Sequence, residues 1–394
     1  MNLAASLPHG TTHRAFDTTR GRYRGSVAAW RDGMVRWREG TVAARDREWP
    51  GAVELTVRLT DGSGDVRALA HPPLVGDPVV GDRVLLNVNA LAHGLGTGGY
   101  ALVVALPERL PPDPDPVPPG HVVKARYTPL QAVVLGADEE DSPDRAGIVA
   151  TVDLAGMPVV TADLHSALPA ILAGALVTWP GARVAYLMTD GGALPAWFSR
   201  TVAGLRDHLV GVVTVGQAFG GDLEATNIHS GLIAARGGLR ADIVVVAQGP
   251  GNLGTGTRWG FSGTAVGEAV NAAAVLNGRP VGSIRLSDAD PRARHRGVSH
   301  HCLTAYGLVA LAPADLPVPA GLPPPLAASV AAALDPLTPP HRVVAVPTDG
   351  LDEALRASPV RLSTMGRTLT GDYWYFLAAA AAGRHAASLT QPGA

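Results

Sequence analysis

Asp242-Ile-Val-Val-Val-Ala-Gln248 runs directly into Gly249-Pro-Gly-Asn-Leu-Gly-Thr-Gly-Thr-Arg258. The first segment reads as a buried strand and the second as a glycine-rich loop. α/β proteins use this succession to bring backbone N–H groups against an anion or polar ligand, because glycine takes φ > 0 and admits close approach. Gly249, Gly251 and Gly254 fall in the G-x-G-x-x-G register, but the chain continues as loop rather than entering a helix at once. The next acidic candidate, Asp288, lies roughly thirty or more residues on, beyond the usual spacing of about twenty. No P-loop lysine follows. The stretch therefore predicts one wall of a binding crevice, formed by Gly251, Asn252, Gly254, Thr255, Gly256, Thr257 and Arg258, without specifying a nucleotide.

Apolar runs at 132–135, 158–161, 183–188, 210–215, 242–247, 281–286 and 342–346 alternate with helical segments at 167–176, 196–209, 228–236 and 265–276. That alternation predicts a Rossmann-like α/β domain with a mostly parallel sheet over residues 121–394. Upstream, residues 34–107 carry five short segments bounded by Gly, Asp and Pro, which predict a small N-terminal OB-like or SH3-like β-barrel with a structural, assembly or ligand-capping role. Seven prolines between Pro107 and Gly120 mark an extended linker over 108–120. Residues 1–33 read as a disordered extension, with Met34 as the natural beginning. A second Pro-rich stretch, Pro313–Pro325, separates the sixth strand unit from a final strand and helices. The terminal Tyr373-Trp-Tyr-Phe-Leu377 with its five alanines reads as a packed helix whose alanine face could also mediate self-association.

The chain has 394 residues, 46% hydrophobic and 17% charged, with a formal net charge of −2. Those figures describe a folded protein with a sizeable core, and no basic field calls for nucleic acid. No apolar run reaches the roughly 18 to 20 residues needed to span a bilayer, so no membrane association is expected and a cytoplasmic location is the default. Lys124 is the only lysine and Cys302 the only cysteine. A Schiff base could therefore use only Lys124, an internal disulfide is excluded, and Cys302 reads as a small core residue. Arginine must supply the cationic contacts.

In an open parallel sheet the ligand crevice lies outside the carboxyl ends of the strands. The residues at those exits are Asp163 and His165, Asp190 with two glycines, 216–222, the glycine loop, then Asp288, Asp290 and His295, and lastly Thr348 and Asp349. Asp163-x-His165 has a spacing used for divalent metals, and His295-Arg-Gly-Val-Ser-His-His301 adds three imidazoles. Asp163, His165, Asp190, His300 and His301 are the candidate catalytic residues, by acid–base or metal chemistry. Asp163 and His165 are the candidate metal ligands, and a divalent metal is the one candidate cofactor. Ser166 and Ser299 lack a nucleophile-elbow context.

The segments Arg36–Val42, Leu95–Val103, Ala162–Pro169, Met188–Pro195, Val215–Asp222, Gln248–Thr257 and His295–His301 together resemble a bacterial family known as domain of unknown function 3866. The resemblance runs from Met34 to about His385 and carries no activity or site residue with it. The reading is an enzyme, a hydrolase or transferase, acting on a small polar or anionic metabolite in a crevice at the strand carboxyl ends. Its alternative is a non-catalytic ligand-sensing or assembly module.

Overall fold

The computed structural model describes residues 35–95 and 98–390, and the extension expected over 1–33 lies outside the described residues. Strands β1 (Trp37–Trp49), β2 (Ala52–Leu59), β3 (Asp65–Ala70), β4 (Arg83–Asn87) and β5 (Ala101–Ala105) close into a barrel in the order β1-β2-β3-β5-β4. β1 serves both neighbours: Gly40 faces Leu59 on one side and Val84 on the other. Two register shifts bend it, as bulges do where a strand turns a barrel corner. The alternating Val53, Leu55, Val57 and Leu59 point inward and pack with Val84 and Leu86. With β3 and β5 parallel, the arrangement is the OB-like alternative rather than the SH3-like one.

Beyond the proline-rich stretch, β6 (Val122–Lys124) and β7 (Ala132–Val134) form an antiparallel pair. The run at 132–135 thus does not open the parallel sheet; three of its residues form β7, which pairs with its nearest neighbour in sequence. The sheet itself uses β8 (Pro158–Ala162), β9 (Val184–Thr189), β10 (Gly211–Thr214), β11 (Leu223–Glu224), β12 (Ile243–Gln248) and β13 (Arg279–Gly282). β14 (Leu286–Ser287) and β15 (Gly297–Val298) form a separate antiparallel pair, after which β16 (Asp315–Pro319) and β17 (Arg342–Val346) complete the sheet. Its eight strands run in the order β11-β10-β9-β12-β8-β13-β16-β17, every pairing parallel. β16 falls inside the Pro-rich stretch expected to be a separator. It meets β13 only at Val281 and Asp315, so Pro317 and Pro319 stand where little ladder bonding is required.

Both faces of the sheet are covered. One carries helices Leu168–Thr178 and Tyr373–Ser388, and the other carries Ile228–Gly237 and Ala265–Val275. The alanines at 378–382 are all buried inside the chain, in a helix that packs on Leu168–Thr178 and on the sheet. The face proposed for self-association is therefore already used. The helix expected over 196–209 is broken into a 3-10 turn at Ala196–Phe198, a helix at Arg200–Gly204 and a second turn at Arg206–His208. Ser199 accepts from the Val202 N–H at 3.0 Å and starts a fresh helix there. The barrel docks on this segment: Trp49 Nε1 donates to Trp197 O at 2.7 Å, and Leu69 and Tyr100 pack with Trp197 and Phe198.

Candidate functional site

Register places the strand exits level with one another. Ala162 pairs with Ala247, Gln248 with Thr189, and Gly282 with Thr161. Asp163, Gly249, Asp190 and Ser283 therefore leave the sheet along one edge, outside its carboxyl ends.

A buried polar centre forms on one side of that edge. Arg285 Nη1 and His301 Nδ1 each lie 3.5 Å from Asp163 Oδ2, and Arg285 Nη2 lies 3.5 Å from Asp290 Oδ2. Asp290 is also held by Arg292 at 2.9 Å and Arg367 at 3.2 Å. Burial alone would raise the Asp163 carboxyl, but the His301 ring and the Arg285 guanidinium outweigh it and hold it below the ordinary carboxylate range. His295, His300 and His301 gather beside this aspartate, each offering one ligand atom within 4.8 Å of the others. Burial lowers His295 to about 3 and His300 to about 4. Gln248 Oε1, His300 Nε2 and His301 Nδ1 are buried without a hydrogen-bond partner. Gln248 Oε1 belongs to a residue that lines, with Asp163, a cavity of about 10 Å³, space for a single water. Cys302 accepts from the Arg285 N–H at 3.2 Å, and burial pushes its thiol up, away from nucleophilic use.

His165 faces elsewhere. Its Nε2 lies 2.7 Å from Ser199 Oγ and its Nδ1 3.1 Å from Tyr186 Oη. Tyr186 donates to the carbonyls of Ala247 and Gln248, so its oxygen accepts from His165 Nδ1–H. That fixes the tautomer, and Ser199 donates its hydroxyl proton toward the bare Nε2. Both ring nitrogens are thereby occupied, and the geometry gives the expected Asp163–His165 metal pair no free imidazole lone pair. His165, Ser166 and Ser199 line a cleft of about 1310 Å³ between barrel and sheet. Its other walls are largely apolar and include Leu69, Leu102, Phe198 and Phe219.

The glycine loop divides. Gly249 to Leu253 line the cleft, and Gly192 approaches so closely that a Cβ there would lie 2.2 Å from Gly249 O. Gly254 to Arg258 instead project into a solvent-exposed turn. Gly254 bridges to Phe261, Thr255 N donates to Gly260 O, and Thr257 Oγ1 accepts from Gly260 N. The threonines close the turn, and Arg258 is not in the cleft wall. Asp190 is exposed and accepts from Gln217 N at 2.8 Å, which shapes the loop after β10. Lys124 is fully buried, with Nζ donating to three carbonyls, so it is not available as an amine nucleophile. The structure therefore brings Asp163, His300 and His301 together and sets His165 and Asp190 apart. Ser199, Gln248 and Arg285, none of them singled out as chemistry in the sequence, complete the two groups.

The neutral buried histidines predict acid lability. An unfolded imidazole titrates near 6.5, whereas burial lowers His165 to about 4. Its contribution to stability is complete above about pH 6.5 and is lost as pH falls toward 4, on the order of 3 kcal/mol. His295 and His300 act in the same direction. The urea midpoint followed by circular dichroism should fall steeply between pH 6.5 and 4; a flat profile there would contradict the assignment.

The fold and site define a two-part protein, an OB-like barrel joined to a parallel-sheet α/β unit with its crevice at the strand exits. The chain belongs to the family described as Protein of unknown function (DUF3866), whose model matches residues 67–383. No curated protein matches the chain. Among the described residues no helix is long and apolar enough to cross a membrane.

Proposed function

We propose that the protein is a cytoplasmic enzyme, a hydrolase or transferase, acting on a small metabolite with an apolar body and a polar or anionic end. The cleft between barrel and strand exits holds the substrate. One observation carries this reading: Ser199 Oγ is hydrogen-bonded to His165 Nε2 at 2.7 Å in the cleft wall. A hydroxyl and an imidazole in that geometry make a nucleophile and its base, with the base oriented by a third group, here Tyr186. Ser199 Oγ would attack an acyl or phosphoryl centre while its proton passes to His165 Nε2. The same proton then goes to the leaving group, and water or an acceptor alcohol releases the bound group from Ser199. Apolar walls suit the substrate's body, and the closely packed backbone of Gly249–Leu253 suits its polar end.

A fluorophosphonate probe tests the pair. Ser199 should be labelled, as located by mass spectrometry, and labelling should fall at least 100-fold in His165→Gln. Ser199→Ala should lose it entirely while keeping the fold, apart from about 1 kcal/mol for the missing helix cap. A folded protein whose Ser199 stays unlabelled would remove the catalytic reading. The mostly apolar cleft would then favour a non-catalytic ligand sensor.

A further inference from the structure

The structure assigns a divalent-metal site to His295, His300 and His301, completed by Asp163. Three pieces of local architecture build it. The β14–β15 pair folds the chain after Arg285 back on itself, so that His295 returns beside the exit of β8. Ser299 caps the helix His300–Thr304 and accepts from the His301 N–H at 3.2 Å. The first turn of that helix wraps His300 and His301 around His295. Their ring centroids stand 4.4 Å apart from each other and 4.9 Å each from His295.

Two of the histidines leave a buried ring nitrogen unsatisfied. His300 Nε2 and His301 Nδ1 are buried with no hydrogen-bond partner, and His301 is only 8% exposed. His295 Nδ1 is held by Ser299 Oγ at 2.8 Å, which leaves Nε2 for coordination. A metal-bound histidine is anchored through its other nitrogen in the same way. The fourth corner is Asp163 Oδ2, 3.5 Å from His301 Nδ1. With metal–nitrogen bonds of 2.0–2.1 Å, ligand atoms in a tetrahedral site stand about 3.3 Å apart. Asp163 Oδ2 already has about that separation from His301 Nδ1, and one ring nitrogen from each histidine lies within 4.8 Å of the others, so coordination requires the rings to close in. Arg285 touches the same carboxylate oxygen and also Asp290; it orients the ligand from outside while Asp290 offsets its charge. Phe261 stacks on His301 at 3.8 Å, 1° from parallel, and shields the centre from bulk water.

Three imidazoles and one carboxylate make a borderline donor set that suits zinc-class cations rather than calcium or magnesium. The assignment rests on these four residues and is independent of the Ser199–His165 pair.

The test uses the full chain, stripped with a chelator and titrated with Co²⁺. Binding of one equivalent should give the intense visible absorption of tetrahedral cobalt, and one equivalent of Zn²⁺ should remove it. Zn²⁺ should also raise the melting midpoint, since it binds only the folded state. His300→Ala and His301→Ala should each weaken Zn²⁺ binding at least 100-fold, while His229→Ala, at an exposed histidine, should not change it. If an alanine variant fails to fold, His300→Gln and the wild-type cobalt spectrum decide the question. Absence of stoichiometric binding by the wild-type chain, an octahedral cobalt spectrum, or binding that survives loss of His300 or His301 overturns the assignment.

Discussion

Replacing Gly383 with alanine is expected to destabilise the protein by about 3 kcal/mol or more, although the same change in an exposed helix would stabilise it by about 1 kcal/mol. The sign is set by the crossing of helices Leu168–Thr178 and Tyr373–Ser388. A Cβ on Gly383 would lie 1.8 Å from Ile171 O, and one on Gly174 would lie 1.9 Å from Ala380 O. Both obstacles are backbone, which cannot rotate aside as a side chain can. The helices must separate, and the alanines at 378–382, each no more than 1% exposed, lose their contacts together. Overpacking at a flexible contact costs about 1–3 kcal/mol; here the obstacle is backbone, so the upper end or beyond applies. Urea unfolding should show a lower midpoint with an unchanged slope. A Gly383→Ala protein as stable as the wild type would mean that the two backbones do not touch.

That contact also shows where sequence was legible and where it was not. Residues 243–247 are apolar throughout because a central parallel strand is buried on both faces. Such strands announce themselves, and most of the sheet was readable on that ground. Asp315–Pro319 was not, because its prolines signal a break unless one knows that its β13 side needs only one pairing. In the same way, Val281–Leu286 reads as a single run. It is two elements, and the turn at Ser283–Arg285 between them carries the buried arginine to Asp163.

The candidate site divided along similar lines. Asp163 was identifiable because a carboxylate at a strand exit stands out. The pairing of His165 with Ser199 joins residues 34 apart in sequence, and no local pattern encodes it. His300 and His301, as neighbours, should point in different directions. They converge because the first turn of their helix curls around His295, a relation set by the β14–β15 pair. Within the glycine loop, composition could not separate cleft wall from closing turn. Thr255 and Thr257 are spent on internal hydrogen bonds that any tight turn requires.

Substituting Lys124 should be the second severe change, and arginine should be no better tolerated than alanine. Lys124 is the chain's only lysine and is fully buried. Its Nζ donates to the carbonyls of Gly216, Ala218 and Ala225 at 3.1, 2.8 and 3.2 Å, and lies 3.3 Å from Glu224 Oε2. Four acceptors converging on one atom suit a compact ammonium; a planar guanidinium is too broad and directs its donors outward. Lys124→Ala leaves Glu224 without its counter-charge and three carbonyls without a donor, a loss of about 3–5 kcal/mol for a broken buried pair. Glu224 keeps Thr214 Oγ1 and Gly220 N as partners, so Glu224→Gln added to Lys124→Met should recover part of the loss by removing the stranded charge. The damage should extend to the cleft, because the pinned segment includes Gln217 and Phe219 of its wall. Denaturation midpoints of the three variants decide the matter: a Lys124→Arg protein of wild-type stability would show that charge alone, and not the converging geometry, holds this segment in place.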